Sequence, residues 1–308
     1  MDQAILLMGA TATGKTDLAV QLVERFPVEI ISVDSALIYR EMNIGTAKPT
    51  ADILQKAPHF LIDILDPSES WSAWDFVQQA RRLIRDINAR GHIPLLVGGT
   101  MMYFNALEQG LHDLPMADPA LRQQLNQQLQ EEGLPSLYRQ LGEIDPQAAS
   151  RIKPTDPQRI LRALEIYHLS GQPMSTLLRQ ASDKPDVDFK RLILDVVDRK
   201  ALHQRIALRF QLMLEQGFEQ EVEALRARGD LNLQMPSMRC VGYRQMWLYL
   251  QGNYTRAEMV EKAVVATRQL AKRQLTWLRK YEQVKRLDYR DFSLDEVYDY
   301  IQVNQKRA

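Results

Sequence analysis

The segment with the clearest chemical signature is GATATGKT, Gly9–Thr16, which directly follows the apolar run Ala4–Met8. It fits the pattern G-x-x-x-x-G-K-[ST], in which a glycine-containing turn aims successive backbone N–H groups at phosphate oxygens. Lys15 adds a positive charge, the Thr16 hydroxyl suits Mg²⁺, and a helix expected over Asp17–Val23 points its positive end at the anion. The loop predicts polyphosphate binding without indicating ATP.

A second chemical segment, DSALIYREMNIGTAKP at Asp34–Pro49, follows the apolar run Glu29–Val33. An aspartate at the end of a strand beside a P-loop suits two roles, a Mg²⁺ ligand or structural cap and a general base. The residues that follow it predict contact with something polar and extended. They are Ser35, Tyr39, Arg40, Gly45, Thr46 and Lys48.

The elements that must position these segments read as a parallel sheet. The first third of the chain alternates short apolar runs with helical periodicity, which is typical of βαβ units. A further strand is predicted at Ile93–Val97, and it ends at Gly98-Gly99-Thr100. Loops that follow the carboxyl ends of strands bind ligands in such sheets, and all three segments lie in loops of this kind.

From His112 to Val187 the pattern is helical, with three Asp-Pro pairs marking helix starts. A strand returns at Arg191–Val197, helices follow over Leu202–Tyr281, and Asp288–Ala308 is polar and predicted to be peripheral. We therefore predict an α/β fold, a P-loop parallel-sheet core with an all-helical insertion domain and a helical C-terminal region. The predicted parts are residues 1–111 for the first part of the core, 112–189 for the insertion, and 190–308 for the return to the core and the C-terminal region.

Composition bounds the function classes. Of the 308 residues, 39 are Lys or Arg and 39 are Asp or Glu, so the net charge is zero and a nucleic acid would need a local basic patch. The single cysteine, Cys240, excludes an internal disulfide and a cysteine zinc site, and is interpreted as a packing residue. With neither a secretory leader nor a membrane-length apolar stretch, we expect a cytoplasmic protein without a membrane partner. We also expect a monomer.

A local basic patch is present between residues 267 and 280, where five cations occur without an acid. They are Arg268, Lys272, Arg273, Arg279 and Lys280. Such a stripe indicates either an RNA-binding surface or a solvated helix face, and Trp277 within it either stacks a base or lies in the core. Further cations that would extend an RNA path are Arg159, Arg162, Arg239 and Arg244.

The ordered motifs together resemble the tRNA dimethylallyltransferase family, also called tRNA isopentenyltransferases. The matching segments are Gly9–Thr16, Asp34–Pro49, His59–Phe76, Pro94–Thr100, Pro157–Ile166, Arg239–Gln245 and Thr267–Lys280. The family usually has Pro at Ala10 and Ser at Thr13, mild departures because neither side chain is needed to cradle phosphate. It also has Gly-Leu where Met101-Met102 stands, which alters the loop beside Thr100.

The resemblance implies transfer of a dimethylallyl group from dimethylallyl diphosphate to N6 of the adenosine immediately 3′ of the anticodon, with release of diphosphate and with Mg²⁺ as cofactor. It implies that Asp34 acts as general base and that Thr100 helps to hold the bridging oxygen of the diphosphate. The anticodon stem-loop of tRNA is the implied partner. Its target adenosine would flip into a pocket between Ser35 and Gly242-Tyr243-Arg244.

The same resemblance implies the remaining site residues. Those for diphosphate are Gly9, Ala10, Thr11, Ala12, Thr13, Gly14, Lys15, Thr16 and Arg209, with Thr16 also the Mg²⁺ ligand. Those for tRNA are Asp34, Ser35, Ala36, Leu37, Gln158, Arg159, Ile160, Leu161, Arg162, Arg239, Cys240, Val241, Gly242, Tyr243, Arg244, Lys272 and Arg273. Arg209 and its neighbour Arg205 could equally form a solvated helix face.

Two other functions share the P-loop and the parallel sheet. A small-molecule or nucleotide kinase would use ATP and an acceptor hydroxyl in place of an amine. An RNA-binding module that uses a nucleotide as a switch would be expected to carry a guanine-specificity motif such as N-K-x-D, and the sequence has none.

Overall fold

The computed structural model describes residues 2–112, 114–180, 182–282 and 284–305. Its six strands form one sheet in the order β3-β2-β4-β1-β5-β6, and every neighbouring pair is parallel. The strands are β1 (Asp2–Gly9), β2 (Val28–Val33), β3 (His59–Phe60), β4 (Ile93–Gly98), β5 (Val187–Asp195) and β6 (Lys285–Asp288). Strands β1, β2 and β4 are almost entirely buried, as expected for a sheet covered on both faces.

Helices surround the sheet and build the insertion. They are α1 (Lys15–Val23), α2 (Ala51–Lys56), α3 (Ala73–Ala89), α4 (Met101–Gln109), α5 (Pro119–Glu132), α6 (Leu134–Ile144), α7 (Pro146–Ala149), α8 (Pro157–Ser170), α9 (Met174–Leu177), α10 (Arg199–Glu215), α11 (Phe218–Ala227), α12 (Tyr243–Leu250), α13 (Arg256–Leu278) and α14 (Leu294–Gln305). The predicted α/β fold with a parallel sheet is confirmed. No helix of the described residues is both long and apolar enough to cross a membrane.

Several helix starts follow directly from capping residues. Asp118, Asp145 and Asp156 each accept a hydrogen bond from the backbone N–H three residues later, ahead of a proline in the first turn. The three Asp-Pro helix starts predicted from the sequence are therefore confirmed. At the start of α13, Thr255 and Glu258 form a reciprocal capping box, which fixes where this long helix begins.

The chain divides into two compact units. The larger contains the described residues up to Glu108 and from Asp186 onward, and the smaller is Gln109–Pro185. The smaller unit holds the helices α5 to α9 around its own apolar cluster. The strand predicted to begin at Arg191 begins four residues earlier, because β5 starts at Val187.

The prediction of a peripheral C-terminus is wrong. Strand β6 pairs with β5 and extends the sheet, and α14 packs on the core that also contains β1. The described side chains buried there are Leu287, Tyr289, Val297, Tyr298 and Ile301. In the sequence these few apolar residues are separated by charged residues, so the segment as a whole has a polar composition.

Candidate functional site

A cavity of about 500 Å³ lies at the carboxyl end of the sheet in the larger unit. Loops that follow three adjacent strands line it, with Thr11 and Ala12 after β1, Asp34 and Ser35 after β2, and Thr100 after β4. The structure therefore brings the P-loop, the aspartate segment and the Gly-Gly-Thr turn to one place. Helices α4, α10, α12 and α13 contribute to the rest of the wall, together with Trp71 and with loop residues from 36–46 and 236–242.

The P-loop has the backbone form of an anion-binding nest. Ala12 and Gly14 adopt left-handed conformations, with φ of 64° and 81°. The backbone N–H groups of Ala12, Thr13 and Gly14 have no acceptor in the part of the chain that the structure describes. The Thr13 hydroxyl instead donates inward to the Ala10 carbonyl at 2.8 Å, and Arg205 lies beside Gly14. Unpaired amides at the start of α1 suit an anion.

Two cations and one carboxylate share the region behind this loop. Lys15 Nζ donates to the Ala10 carbonyl at 2.6 Å, and burial lowers its pKa to about 8, with Asp34 opposing the shift and Arg209 adding to it. Burial also lowers the pKa of Arg209, whose guanidinium donates to the Thr46 carbonyl at 3.3 Å. The poorly solvated positive charges are suited to holding a polyanion.

Asp34 is fixed with one oxygen available. Its Oδ1 accepts hydrogen bonds from the N–H groups of Ala36 and Leu37, at 2.8 and 3.3 Å. Among the described residues no donor reaches its Oδ2. The neighbouring Ser35 N–H donates to Thr100 Oγ1 at 3.1 Å, so that hydroxyl keeps its own proton to donate. A carboxylate held in this way is able to orient a ligand N–H and accept its proton.

Glu221 organises one wall of the cavity, and sequence reasoning missed it. Its carboxylate accepts the backbone N–H groups of residues 43–45 at 2.7 to 3.1 Å and the Tyr243 hydroxyl at 2.5 Å. Burial and this carboxylate both raise the pKa of Tyr243. Gly45 is required here because a Cβ would lie 2.1 Å from the Phe218 ring. Residue 45 is glycine to make room for aromatic rings, and no pattern in the sequence points to Glu221 itself.

Lys48 was predicted to contact a polar, extended ligand, and the structure shows a different role. Its side chain is only 4% exposed. The ammonium donates to the Tyr39 carbonyl at 2.7 Å and to Asn43 Oδ1 at 2.8 Å, and it also pairs with Asp63. Lys48 therefore stabilises the conformation of the segment after Asp34. Its ammonium has no N–H left to donate to an extended ligand.

Apolar side chains form much of the remaining lining of the cavity. They are Trp71, Met101, Met102, Tyr103, Ile206, Phe210, Met213, Leu270 and Trp277. Met101 and Met102, which depart from the expected family pattern, open α4, with Met101 buried and Met102 exposed. An apolar wall next to an anion cradle suits a ligand that is part hydrocarbon and part phosphate.

The residues predicted to contact tRNA fall into separate groups. Those that line the cavity are Asp34, Ser35, Ala36, Arg239, Cys240, Val241, Gly242, Tyr243 and Arg273. Cys240 is therefore not simply a packing residue, and burial raises the pKa of its thiol to about 12, with Asp34 adding to the rise. Leu37 and Arg244 are not among the lining residues.

The basic stripe of α13 divides between two faces. Arg273 and Trp277 line the large cavity, whereas Arg268, Lys272 and Arg279 line a second one of about 320 Å³, together with residues of α10. Successive residues turn by about 100° around a helix, so these two sets lie on opposite sides. The stripe, for which the sequence left an RNA-binding surface or a solvated helix face open, is thus divided between two surfaces.

The predicted tRNA contacts in the smaller unit lie at the start of α8. Gln158 and Arg159 are exposed, and Arg162 pairs with a buried glutamate of the same helix at 2.6 Å. Ile160 is fully buried in the core of that unit, and Leu161 packs against the same core. The Ile160 side chain therefore belongs to the core of that unit, and the predicted contact of this residue with RNA stays a prediction for its backbone.

Thr16 fits a role in binding Mg²⁺. It is the second residue of α1, is partly exposed, and its hydroxyl forms no hydrogen bond with the described residues. Within the described ranges no three His, Cys, Asp or Glu side chains cluster as a metal cage. Mg²⁺ does not need one, because it keeps several waters and is usually bound by one or two protein ligands together with substrate phosphates.

Comparison with known proteins identifies the family. A model of the IPP transferase family matches residues 37–281. The tRNA dimethylallyltransferases of Cupriavidus taiwanensis and Cupriavidus necator are each 58% identical over 281 residues, which cover 89% of this chain and 87% of theirs. The resemblance inferred from the ordered motifs is therefore confirmed.

Solved structures agree with this assignment. The tRNA isopentenylpyrophosphate transferase of Bacillus halodurans is 37% identical, with a TM-score of 0.69, and the match covers 99% of this chain and 95% of that one. A eukaryotic dimethylallyltransferase acting on tRNA is 25% identical, with a TM-score of 0.79, and the match covers 99% and 78% of the two chains. By sequence and by fold, this chain belongs to the IPP transferase family.

Proposed function

We propose that this chain transfers a dimethylallyl group from dimethylallyl diphosphate to N6 of the adenosine immediately 3′ of the anticodon in tRNA. The observation that carries the proposal is one cavity with an anion-binding nest, an apolar wall and a carboxylate with an open oxygen. The C1–O bond to diphosphate breaks and its electron pair leaves with the diphosphate. The N6–C1 bond forms, and N6 loses a proton.

The P-loop serves the leaving group. Diphosphate gains negative charge as the allylic C–O bond breaks, so fixed donors at that position stabilise the transition state. The unpaired N–H groups of Ala12 to Gly14, the ammonium of Lys15 and the guanidinium of Arg209 are suited to this task. Mg²⁺, held through Thr16, would neutralise part of the same charge.

Asp34 serves the nucleophile. The exocyclic amine of adenine is a weak nucleophile, and a carboxylate within hydrogen-bond reach orients it and takes its proton as the new bond forms. With Oδ1 occupied by two backbone N–H groups, Oδ2 is the oxygen that receives the proton. Thr100, which keeps its hydroxyl proton, would donate to the bridging oxygen of the diphosphate.

Recognition of tRNA rests on exposed cations and on an adenosine that leaves the base stack. Arg239 and Arg273 line the cavity and are exposed, so they are placed to neutralise phosphates beside the flipped nucleotide. The partly exposed Trp277 offers a ring for base stacking next to them. Affinity for tRNA is therefore expected to fall as salt concentration rises.

Incubation of the protein with Mg²⁺, dimethylallyl diphosphate and tRNA from cells that lack this modification tests the proposal. Digestion and mass spectrometry should reveal N6-prenyladenosine, and a matched tRNA with guanosine at the target position should yield none. Consumption of ATP without prenyl transfer would favour a kinase instead. The apolar side chains Ile206, Phe210 and Met213 in the cavity wall argue against that alternative, because they suit a hydrocarbon better than a polar acceptor.

A further inference from the structure

One buried amide joins two loops of the candidate site. Gln274, near the C-terminal end of α13, donates from Nε2 to the Gly99 carbonyl at 2.9 Å and accepts at Oε1 the Thr11 N–H at 2.8 Å. Its residue surface is only 8% exposed. Groups so poorly accessible to water depend on each other for hydrogen bonds, so the amide fixes the P-loop against the turn that follows β4.

The contact between Gln274 and Gly99 is tightly packed. A Cβ on Gly99 would lie 2.4 Å from Gln274 Nε2, so the amide reaches the backbone only because residue 99 is glycine. The next residue, Thr100, accepts the Ser35 N–H at 3.1 Å, beside Asp34. The position of the Gln274 amide therefore influences the positions of Thr100 and Asp34, the two residues predicted to be catalytic.

The same amide also defines which P-loop donors remain for phosphate. Because the Thr11 N–H is bonded to Gln274, the unpaired donors of the loop begin at Ala12. Immediately before Gln274 on α13, Arg273 lines the cavity from the helix proposed to meet tRNA. The Gln274 side chain thus connects the P-loop, which is proposed to bind the leaving group, with α13, which is proposed to meet tRNA.

We propose that Gln274 is a positioning residue for prenyl transfer. It holds the P-loop at a fixed distance from Thr100 and Asp34 and ties both to α13. The inference rests on the proposed function, because it gives Gln274 a part in that reaction. Small errors in the placement of reacting groups lower turnover steeply, so the loss of this amide should act on kcat.

The first test replaces Gln274 with methionine, which has similar length and no strong hydrogen-bonding groups. Gln274→Met should lower kcat for prenylation about 10–100-fold and leave the tRNA Kd within about twofold. Gln269→Met is the matched control, because Gln269 is exposed on the same helix and should change neither value. A Gln274→Met kcat within about threefold of wild type would overturn the inference, and so would an equal loss of tRNA affinity.

The second test uses Gln274→Glu, which keeps an acceptor for the Thr11 N–H. When ionised, the introduced carboxylate cannot donate to the Gly99 carbonyl, and when protonated it can. The kcat of Gln274→Glu divided by that of wild type should therefore rise as pH falls, whereas the same ratio for Gln274→Met should stay flat. A flat ratio for both variants would contradict a positioning role for the donated hydrogen bond.

A pair of variants at Gly99 and Gln274 tests the inference if Gln274→Met or Gln274→Glu does not fold. Gly99→Ala should lower kcat because its methyl group displaces the Gln274 amide, and adding Gln274→Ala should lower kcat little further, because the amide that it removes is already displaced. Losses that multiply in the double variant would count against the inference, because they would mean that the two substitutions act independently. Wild-type protein that makes no prenyladenosine would overturn the proposed function together with the inference, whereas an active wild type and an equally active Gln274→Met would overturn the inference alone.

Discussion

Lys15 gives the diphosphate site a pH dependence in an accessible range. Burial lowers the pKa of its ammonium from 10.5 to about 8, and the nearby Asp34 and Arg209 act in opposite directions on that shift. Only the charged form attracts the anion. Affinity should therefore be complete below about pH 7 and fall as pH rises through about 8, until the pKa of the ligand-bound state is reached.

The size of the effect follows from the titration. With a pKa of about 8, roughly nine-tenths of Lys15 is charged at about pH 7 and roughly one-tenth at about pH 9, which predicts about a tenfold loss of affinity. Dimethylallyl thiodiphosphate is a suitable probe, because the last phosphate pKa of about 6 keeps it ionised throughout this range. Isothermal titration calorimetry at constant Mg²⁺ measures its Kd.

Lys15→Met supplies the control, with weak affinity that stays flat over the same pH range. Thermal unfolding should show the opposite sign. The folded protein holds the Lys15 proton less readily than the unfolded chain does, so wild type gains stability relative to Lys15→Met as pH rises from about 8 toward 10.5. Wild-type affinity that is unchanged up to about pH 9 would refute the assignment of Lys15 as a phosphate ligand with a lowered pKa.

Three further outcomes are expected. Asp34→Asn should reduce turnover about 10²–10⁴-fold at nearly constant tRNA Kd, in single-turnover prenylation and filter-binding assays; undiminished turnover would remove the base assignment. Glu221→Leu should cost about 1–3 kcal/mol in urea unfolding, because it strips partners from the N–H groups of residues 43–45, whereas Tyr243→Phe should cost less. Arg228 lowers the pKa of Asp66, so stability from this pair should be lost as pH falls toward the lowered pKa, and Arg228→Met should flatten that acid dependence.

The elements that sequence reasoning located well are those specified by local patterns. The P-loop follows its strand within a few residues, and the apolar runs of β1, β2 and β4 are nearly continuous because both faces of the sheet are covered. The edge of the sheet was harder. In β5, buried Phe189 lies between exposed Asp188 and partly buried Lys190, so the start of the strand resembled the polar linker before it.

The site was less predictable where function depends on what covers a residue. Lys272 and Arg273 belong to one basic stretch of the sequence, but only tertiary packing decides which neighbour each one faces. Lys48 has the composition of a ligand contact, yet its ammonium is satisfied by the segment's own oxygens. A charged residue in a sequence is able to bind a ligand, but the fold decides whether its charged group is already bonded to other parts of the protein.

Gln274 and Glu221 mark the limit of motif reasoning most clearly. Each bonds to a loop more than 170 residues away, so no local spacing connects the partners. The trace of these residues lies in the loops, where Gly99 and Gly45 adopt no left-handed backbone. A Cβ at Gly99 would meet Gln274 itself, and a Cβ at Gly45 would meet the rings of Phe218 and of Tyr243, the residue whose hydroxyl bonds to Glu221. A glycine without an obvious turn, placed beside a chemical motif, therefore indicates a distant residue that holds the motif in position, and this is the kind of residue that sets catalytic geometry without joining the reaction.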